Sequence, residues 1–391
     1  MKRIIRFGIV LTLLGAGATG IVLTQNNNGD DRASEPLNPA AITLWVYSGG
    51  WQEYADAYNK DHPDVEVNIR KFSSYEQLLV ELLASISAGD APEIAEVDSR
   101  FGISQLAQSG QAIAVENGRA DHSQISLLER TFRDAFGFSG QIWAAPVGGA
   151  LPMIYYREEV RTYAGIGAAD FQDWHELTDA STHESQMTEK KYGKGGAAIA
   201  VDADIPWYAV NMSASAESPG TNGMFAELWT RWTQEAGMME PLQHEKAVSD
   251  FINGKAQVLI ASSEKLGMIE KYIGGKFAYH MQRFPQVEQT GVIPDVHALM
   301  LFSSEPAKQE AARSFAGYMQ GAEAQKLVWT NSSLIPARPD ITQSLTASDE
   351  RSRLILDSVR LFVSQMPSPD DQSQWQKMND VFIRMELDGR R

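Results

Sequence analysis

The sequence predicts an α/β protein built as two lobes, and three observations carry that expectation. Residues 41–101 alternate short apolar strands with helices, the repeat of an open sheet flanked by helices. At 391 residues the chain exceeds the size at which a single hydrophobic core stops growing. A hydrophobic content of 43% supplies enough apolar side chains for sizeable cores.

Taken in order, Ile42–Val46 reads as a strand, and Gly49-Gly50 opens a helix over Trp51–Asn59, where apolar residues recur at helical spacing. His62-Pro63-Asp64 breaks the chain before Val65–Ile69, which alternates in the strand manner. Tyr75–Ser87 is helical and stops at Gly89, with Pro92 beyond it. Ile94–Val97 is a third strand, and Phe101–Gln108 a helix that Gly110 ends. Gly140–Ala145 and Met153–Tyr156 are strands, and the punctuated run PVGGALP between them reads as a crossover between lobes. Helices follow at Phe225–Gly237 and near 244–253, then strands at Val258–Ala261 and Val296–Phe302. Pro306–Met319, Arg351–Ser364 and Gln374–Leu387 are the closing helices.

The formal net charge of −16 argues against binding nucleic acid or an anionic membrane surface through bulk electrostatics. The chain has no cysteine, which excludes disulfides, thiolate metal sites, a thiol nucleophile and a lipid-bearing N-terminal Cys. Lys2, Arg3 and Arg6 precede an apolar run from Phe7 to Leu23, and Ala16-Gly17-Ala18 offers small residues for cleavage. Residues 1–23 therefore read as a signal peptide or as an uncleaved anchor, since the run is just long enough for a thin bilayer. Both readings export the rest of the chain, to a periplasmic or extracytoplasmic place, with residues 24–40 as a disordered tether.

The motifs of several enzyme classes are missing: there is no G-x-S-x-G, H-E-x-x-H, P-loop or G-x-G-x-x-G. The seven His residues lack ligand spacing, and no pair of carboxylates is nominated for glycoside hydrolysis. The chain is accordingly expected to be no enzyme, with no catalytic residue, metal or cofactor. In an open parallel sheet, ligands bind beyond the carboxyl ends of the strands. There the chain carries aromatic, hydroxyl, acidic and basic groups. Aromatic faces stack on the C–H faces of sugar rings, while carboxylates and Arg forks satisfy hydroxyls. Of the nine Trp and twelve Tyr, Tyr47, Trp51, Tyr75, Trp207 and Trp375 fall at strand ends or turns. Trp45, Trp143, Trp229 and Trp329 fall inside elements and read as core.

The segments ITLWVYSGGWQEYADAYNKDHPDVEV, SYEQLLVELLASISAGDAPEIAEVDSRFGISQLAQSG, IWAAPVGGALPMIYYREEV, FINGKAQVLIASSEKLGMIEK, EAARSFAGYMQGAEAQKLV and MPSPDDQSQWQKMNDVFIRMELDGR carry a resemblance through their order and spacing. From about residue 41 to the C-terminus the chain resembles the periplasmic solute-binding proteins of ABC importers, in the group of maltose-binding and glycerol-3-phosphate-binding proteins. The resemblance implies a type II periplasmic-binding-protein fold: two α/β lobes, each a mostly parallel sheet flanked by helices, joined by hinge crossovers. The expected N-terminal lobe is 41–147 with 296–338, and the C-terminal lobe 148–295 with 339–391.

Residue by residue, Arg100 in DSRFG resembles the maltose-type arginine that bonds sugar hydroxyls, with Asp98 or Ser99 at the adjacent polar position. Trp375 is similar to the maltose-type stacking tryptophan, in a segment one residue shorter. Tyr75, Asp98 and Ser263 fall on positions similar to the glycerol-3-phosphate pocket. The loop Gly148-Gly149-Ala150 lacks both the maltose-type acid and the Ser pair of the glycerophosphate type, and Gly149 would let backbone approach the ligand. Pro294-Asp295 replaces a glycine pair of the latter. The expected ligand-binding set is Tyr47, Trp51, Tyr75, Asp98, Arg100, Gly149, Trp207, Ser263 and Trp375. The expected function is delivery of a sugar or sugar derivative to inner-membrane permease subunits by a monomer tethered, if the anchor is kept, through residues 7–23. Glycerol 3-phosphate import, a sensor-kinase receptor and a glycan-active enzyme are the alternatives.

Overall fold

The computed structural model describes residues 39–115, 125–167, 169–192, 196–213, 223–347 and 349–389. The expected signal or anchor at 1–23, and the tether as far as residue 38, lie outside the described residues. Ala40, expected at the end of the tether, opens the first strand instead. Among the described residues no helix is long and apolar enough to cross a membrane.

Among the described residues the chain forms two mixed sheets and a small two-stranded antiparallel one over residues 137–142. The strands in order are β1 Ala40–Val46, β2 Val65–Lys71, β3 Ile94–Asp98, β4 Ala112–Ile113, β5 Gly137–Phe138, β6 Gln141–Ile142 and β7 Ala144–Ala150. They continue with β8 Pro152–Arg157, β9 Ala197–Val201, β10 Ala256–Ser262, β11 Tyr279–Arg283, β12 Asp295–Phe302 and β13 Ile335–Pro336. The first sheet runs β13-β7-β12-β3-β1-β2 with β4 also on β12, and the second runs β11-β8-β10-β9. Among the described strands, parallel pairing is confined to β1–β2, β1–β3 and β9–β10. The two-lobed α/β class stands, but the sheets are not mostly parallel. The reason is topological: β12 returns from the second sheet and inserts antiparallel between β3 and β7.

The alternation of β1 is two-sided. Ile42, Leu44 and Val46 pack under the helices Trp51–Asp61 and Pro306–Met319, while Trp45 turns to the face covered by Tyr75–Ala88. Each such fully buried side chain stabilises by roughly 1.5–3 kcal/mol. Ser74 caps the helix Tyr75–Ala88 by accepting the Gln77 N–H, and Gly89 ends it in the left-handed region at φ 76°.

Two local expectations are corrected. The run PVGGALP is no loop: β7 carries the first sheet through Gly148 and Gly149 to Ala150, past the expected lobe break at 147/148, and Leu151 alone separates it from β8. The helix begun at Glu350 ends as a 3-10 turn at Leu361 rather than at Ser364. Beyond it the chain is extended, because Val292 donates to the Leu361 carbonyl and accepts from Val363 N–H, both at 2.9 Å. Two crossing segments thus run side by side. The stretch with His175 and His183, to which no element is assigned from sequence, is a 19-residue helix, Trp174–Tyr192.

Candidate functional site

β3 ends at Asp98, and the chain turns sharply through Ser99, Arg100, Phe101 and Gly102 into the helix Ile103–Gln108. Gly102 sits at φ +87°, and a Cβ there would lie 2.6 Å from Leu79 Cδ2, so the turn demands glycine on two counts. The turn projects Arg100, whose side chain is only 6% exposed.

Arg100 is surrounded by carboxylates. Its Nε donates to Asp98 Oδ2 at 2.9 Å and its backbone N–H to Asp98 Oδ1 at 2.8 Å. Its Nη1 pairs with Asp204, at the start of the helix Ile205–Met212 that follows β9 of the other sheet. Its Nε also lies 3.6 Å from Asp295 Oδ2, at the start of β12. Burial alone would raise the Asp98 carboxyl, but Arg100 outweighs it and holds Asp98 down at about 2. Burial and the neighbouring Asp98 charge push Asp295 well above the usual carboxylate range.

A second polar layer lies behind this one. Tyr47 Oη donates to Asp98 Oδ2 at 2.8 Å and stands 3.1 Å from His297 Nδ1. His297 bonds Glu96 Oε1 at 2.9 Å, and its Nε2 lies 3.7 Å from Glu264 of the second sheet's side. Burial disfavours the imidazolium, but the bond to Glu96 and the charges of Asp295, Glu96 and Glu264 overcome this and raise it to about 10. Burial raises Asp202, beside Asp204, to about 6.

In front of Arg100 a cavity of about 640 Å³ opens between the two sheets, a size suited to a small organic ligand. Ser99 and Arg100 border it from the first sheet, and Trp207 and Val210 from the helix after β9. Ile293 and Pro294 contribute from one crossing segment, and Val363, Ser364 and Gln365 from another. The C-terminal helix Asp371–Gly389 adds Asp371, Gln374, Trp375, Lys377, Met378 and Val381. Trp207 is anchored by its Nε1, which donates to the Ile293 carbonyl at 2.9 Å. Trp375 rests with its ring 4.9 Å from Phe101 and the Arg100 guanidinium 5.3 Å over it. Gly102 N–H donates to Asp371 Oδ1 at 3.1 Å, which ties this helix to the Arg100 turn.

Of the nine residues expected to bind ligand, the structure brings Arg100, Trp207 and Trp375 to this cavity. Tyr47 and Asp98 stand behind Arg100 and orient it. The other four point elsewhere. Trp51 is buried against Tyr54 in the core on the first sheet's far face, its Nε1 donating to Ser48 Oγ at 2.9 Å. Tyr75 is buried and donates to the Phe101 carbonyl at 3.0 Å. Ser263 is spent on Leu151, whose N–H its Oγ accepts at 3.1 Å. Gly149 is closed off by Phe132: a Cβ there would stand 2.4 Å from the ring, so the missing side chain makes room for packing, not for ligand. Trp207, expected at a turn or strand end, lies within a helix.

Sequence reasoning missed Asp204, His297, Asp371 and Lys377. The pattern VDADIPW, two acids just before a proline-started helix, was the one available signal for Asp204. Asp295 enters the sequence reading only through the Pro294-Asp295 pair that replaces two glycines of the glycerophosphate type.

A family model described as bacterial extracellular solute-binding protein matches residues 53–351. No curated protein matches the chain in sequence. Among solved structures, the chain is similar to the GacH receptor of Streptomyces glaucescens, with TM-score 0.73 and 15% identity over 89% of this chain and 93% of that one. It is similar to an ABC substrate-binding protein of Listeria monocytogenes, solved with cycloalternan, with TM-score 0.69 and 18% identity over 89% and 96%. It is also similar to the maltose-maltodextrin binding protein of Alicyclobacillus acidocaldarius, with TM-score 0.67 and 19% identity over 89% and 95%. These likenesses establish a shared fold.

Proposed function

The chain belongs to the bacterial extracellular solute-binding protein family, and we propose that its solute is a sugar or sugar derivative held in the cavity between the two sheets. The carrying observation is that one cavity gathers two indoles, Trp207 and Trp375, with a fixed guanidinium, Arg100. Indole faces offer the apolar C–H surface of a pyranose its complement, and polar groups around Arg100 meet hydroxyls. The structural relatives support this reading: among them are proteins solved with acarbose, cycloalternan, tagatose and maltotriose.

In this proposal the protein is a binding component and not an enzyme, acting outside the cytoplasm and handing its ligand to an ABC permease. The Arg100 turn and the first sheet form one lobe. The second sheet, with the helices Ile205–Met212 and Asp371–Gly389, forms the other, and closure of the two around the ligand creates the surface a permease distinguishes. Glycerol 3-phosphate is disfavoured, because Arg100 is already committed to three carboxylates and would have to abandon them to meet a phosphate.

Calorimetric titration of the chain with a saccharide panel and glycerol 3-phosphate tests the proposal. Saturable binding of at least one saccharide, weakened by Trp375→Ala, is expected. Binding of glycerol 3-phosphate alone, or of no member, would overturn it.

A further inference from the structure

The wall of the cavity changes character along its length, and the C-terminal helix shows the direction of the change. Its start is tied to the Arg100 turn through Asp371, and its far end to the second sheet's side through Glu386. Asp371, Gln374 and Trp375 therefore line the cavity at the Arg100 end. Met378 and Val381 line it further on, about 4.5 Å and about 9 Å along the helix axis from Trp375. Lys377 shares this stretch, but its side chain is exposed. On the helix Ile205–Met212, Trp207 is likewise followed one turn later by an aliphatic wall residue, Val210. Ile293 adds aliphatic surface from a crossing segment.

Hydrogen-bonding groups are unevenly spread over the same wall. Ser99, Arg100, Asp371 and Gln374 gather around the Arg100 turn and the helix start. Several wall groups are already engaged: Ser99 Oγ accepts from Val296 N–H at 2.9 Å, and Trp207 Nε1 is spent on the Ile293 carbonyl. Gln365, Gln374 and Lys377 are exposed, so they serve the rim rather than the depth. Val210, Met378 and Val381 are half-buried and offer no donor, and their only side-chain acceptor is the weak thioether of Met378. A pyranose laid along them would lose water from its hydroxyls without gaining partners, a cost that hydrocarbon does not incur.

We infer that the ligand of this cavity is a glycoside with an apolar aglycone, its sugar held at the Arg100 end and its alkyl or aryl group lying along Val210, Met378 and Val381. The inference rests on the carbohydrate reading and narrows it. The sugar meets the two indoles and the polar groups of the Arg100 turn. The aglycone adds affinity in proportion to the apolar area it removes from water.

The test is calorimetric titration of the full chain with glucose, galactose, mannose and maltose, each as the free sugar and as its methyl, hexyl and phenyl glycosides, all below micelle-forming concentrations. Within a sugar that binds, the hexyl and phenyl glycosides are expected to bind on the order of tenfold or more tightly than the methyl glycoside, since each buried methylene provides about threefold to fourfold. Met378→Gln is expected to shrink that ratio several-fold, because the aglycone then meets an amide. The unaltered chain gives a second readout that stands even if the variant folds poorly: a more negative heat-capacity change for the hexyl than for the methyl glycoside. Hexyl and phenyl glycosides no tighter than methyl, a ratio unchanged in Met378→Gln, or equal heat-capacity changes would each overturn the inference while leaving the carbohydrate reading intact. Binding of none of the sugars or glycosides would overturn both.

Discussion

Gly149 and His297 show what single residues contribute here. Adding a Cβ at Gly149 drives it into the Phe132 ring at 2.4 Å. Overpacking of this kind costs about 1–3 kcal/mol, so Gly149→Ala is expected to lower the unfolding free energy by that amount and the urea midpoint with it. A midpoint unchanged within error would show that Phe132 yields freely. His297 contributes through charge. An imidazole raised from 6.5 to about 10 adds stability in full below pH 6.5, and that contribution disappears as pH rises through 10. Denaturant unfolding should therefore show His297→Gln less stable than the unaltered chain at pH 6.5, with the gap closing towards pH 10; a gap independent of pH would contradict the pairing with Glu96. Arg100, Trp207 and Trp375, which line the cavity, were legible as candidates because their types suit the proposed sugar contact. Trp51, Tyr75, Ser263 and Gly149 were misplaced because type does not reveal direction. The Trp51 indole faces the far side of the first sheet, and only the pairing of β1 with its neighbours decides that.

Among elements, the C-terminal helix Asp371–Gly389 has the most to do. Its first turn is tied to the Arg100 turn through Asp371, and the Ser104 hydroxyl donates to the Ser368 carbonyl just before it. Its last turns are held on the second sheet's side, where buried Glu386 accepts from His244 Nε2 at 2.9 Å and from Leu242 N–H at 2.5 Å. Burial disfavours the charged His244, but the bond to Glu386 overcomes this and raises it. Glu386→Ala leaves a partly buried imidazole and the Leu242 N–H without their acceptor, and is expected to cost about 1–3 kcal/mol in denaturant unfolding. A cost near zero would mean the helix end is not fastened there. This helix was largely legible from its apolar spacing. The helix Trp174–Tyr192 was not, because its buried stripe includes Thr178 and Ser181. Their hydroxyls donate to the Trp174 and Leu177 carbonyls, so the stripe reads as polar although it faces the core. β7 was hidden for a related reason: its Pro and paired Gly residues mimic a turn, yet β12 and β13 flank it on both sides.

At the scale of the molecule, the two-lobed plan was legible because length, strand-helix alternation and the order of motifs all pointed to it. What sequence alone concealed was how the chain shuttles between sheets. The return of β12 between β3 and β7 places Asp295 beside Asp98. The helix after β9 brings Asp204 to the same guanidinium from the other sheet. These encounters join residues far apart in sequence, and no local pattern announces them. They also create the cavity, whose wall is assembled from both sheets and two crossing segments. The central claim is that a saccharide sits there, against Trp207, Trp375 and the Arg100 cluster. A crystal structure of the chain with its tightest-binding saccharide tests this most directly. The account predicts a sugar ring in contact with both indoles and hydrogen-bonded at Arg100 or Asp204; a ligand seated elsewhere, with this cavity left free, would contradict it.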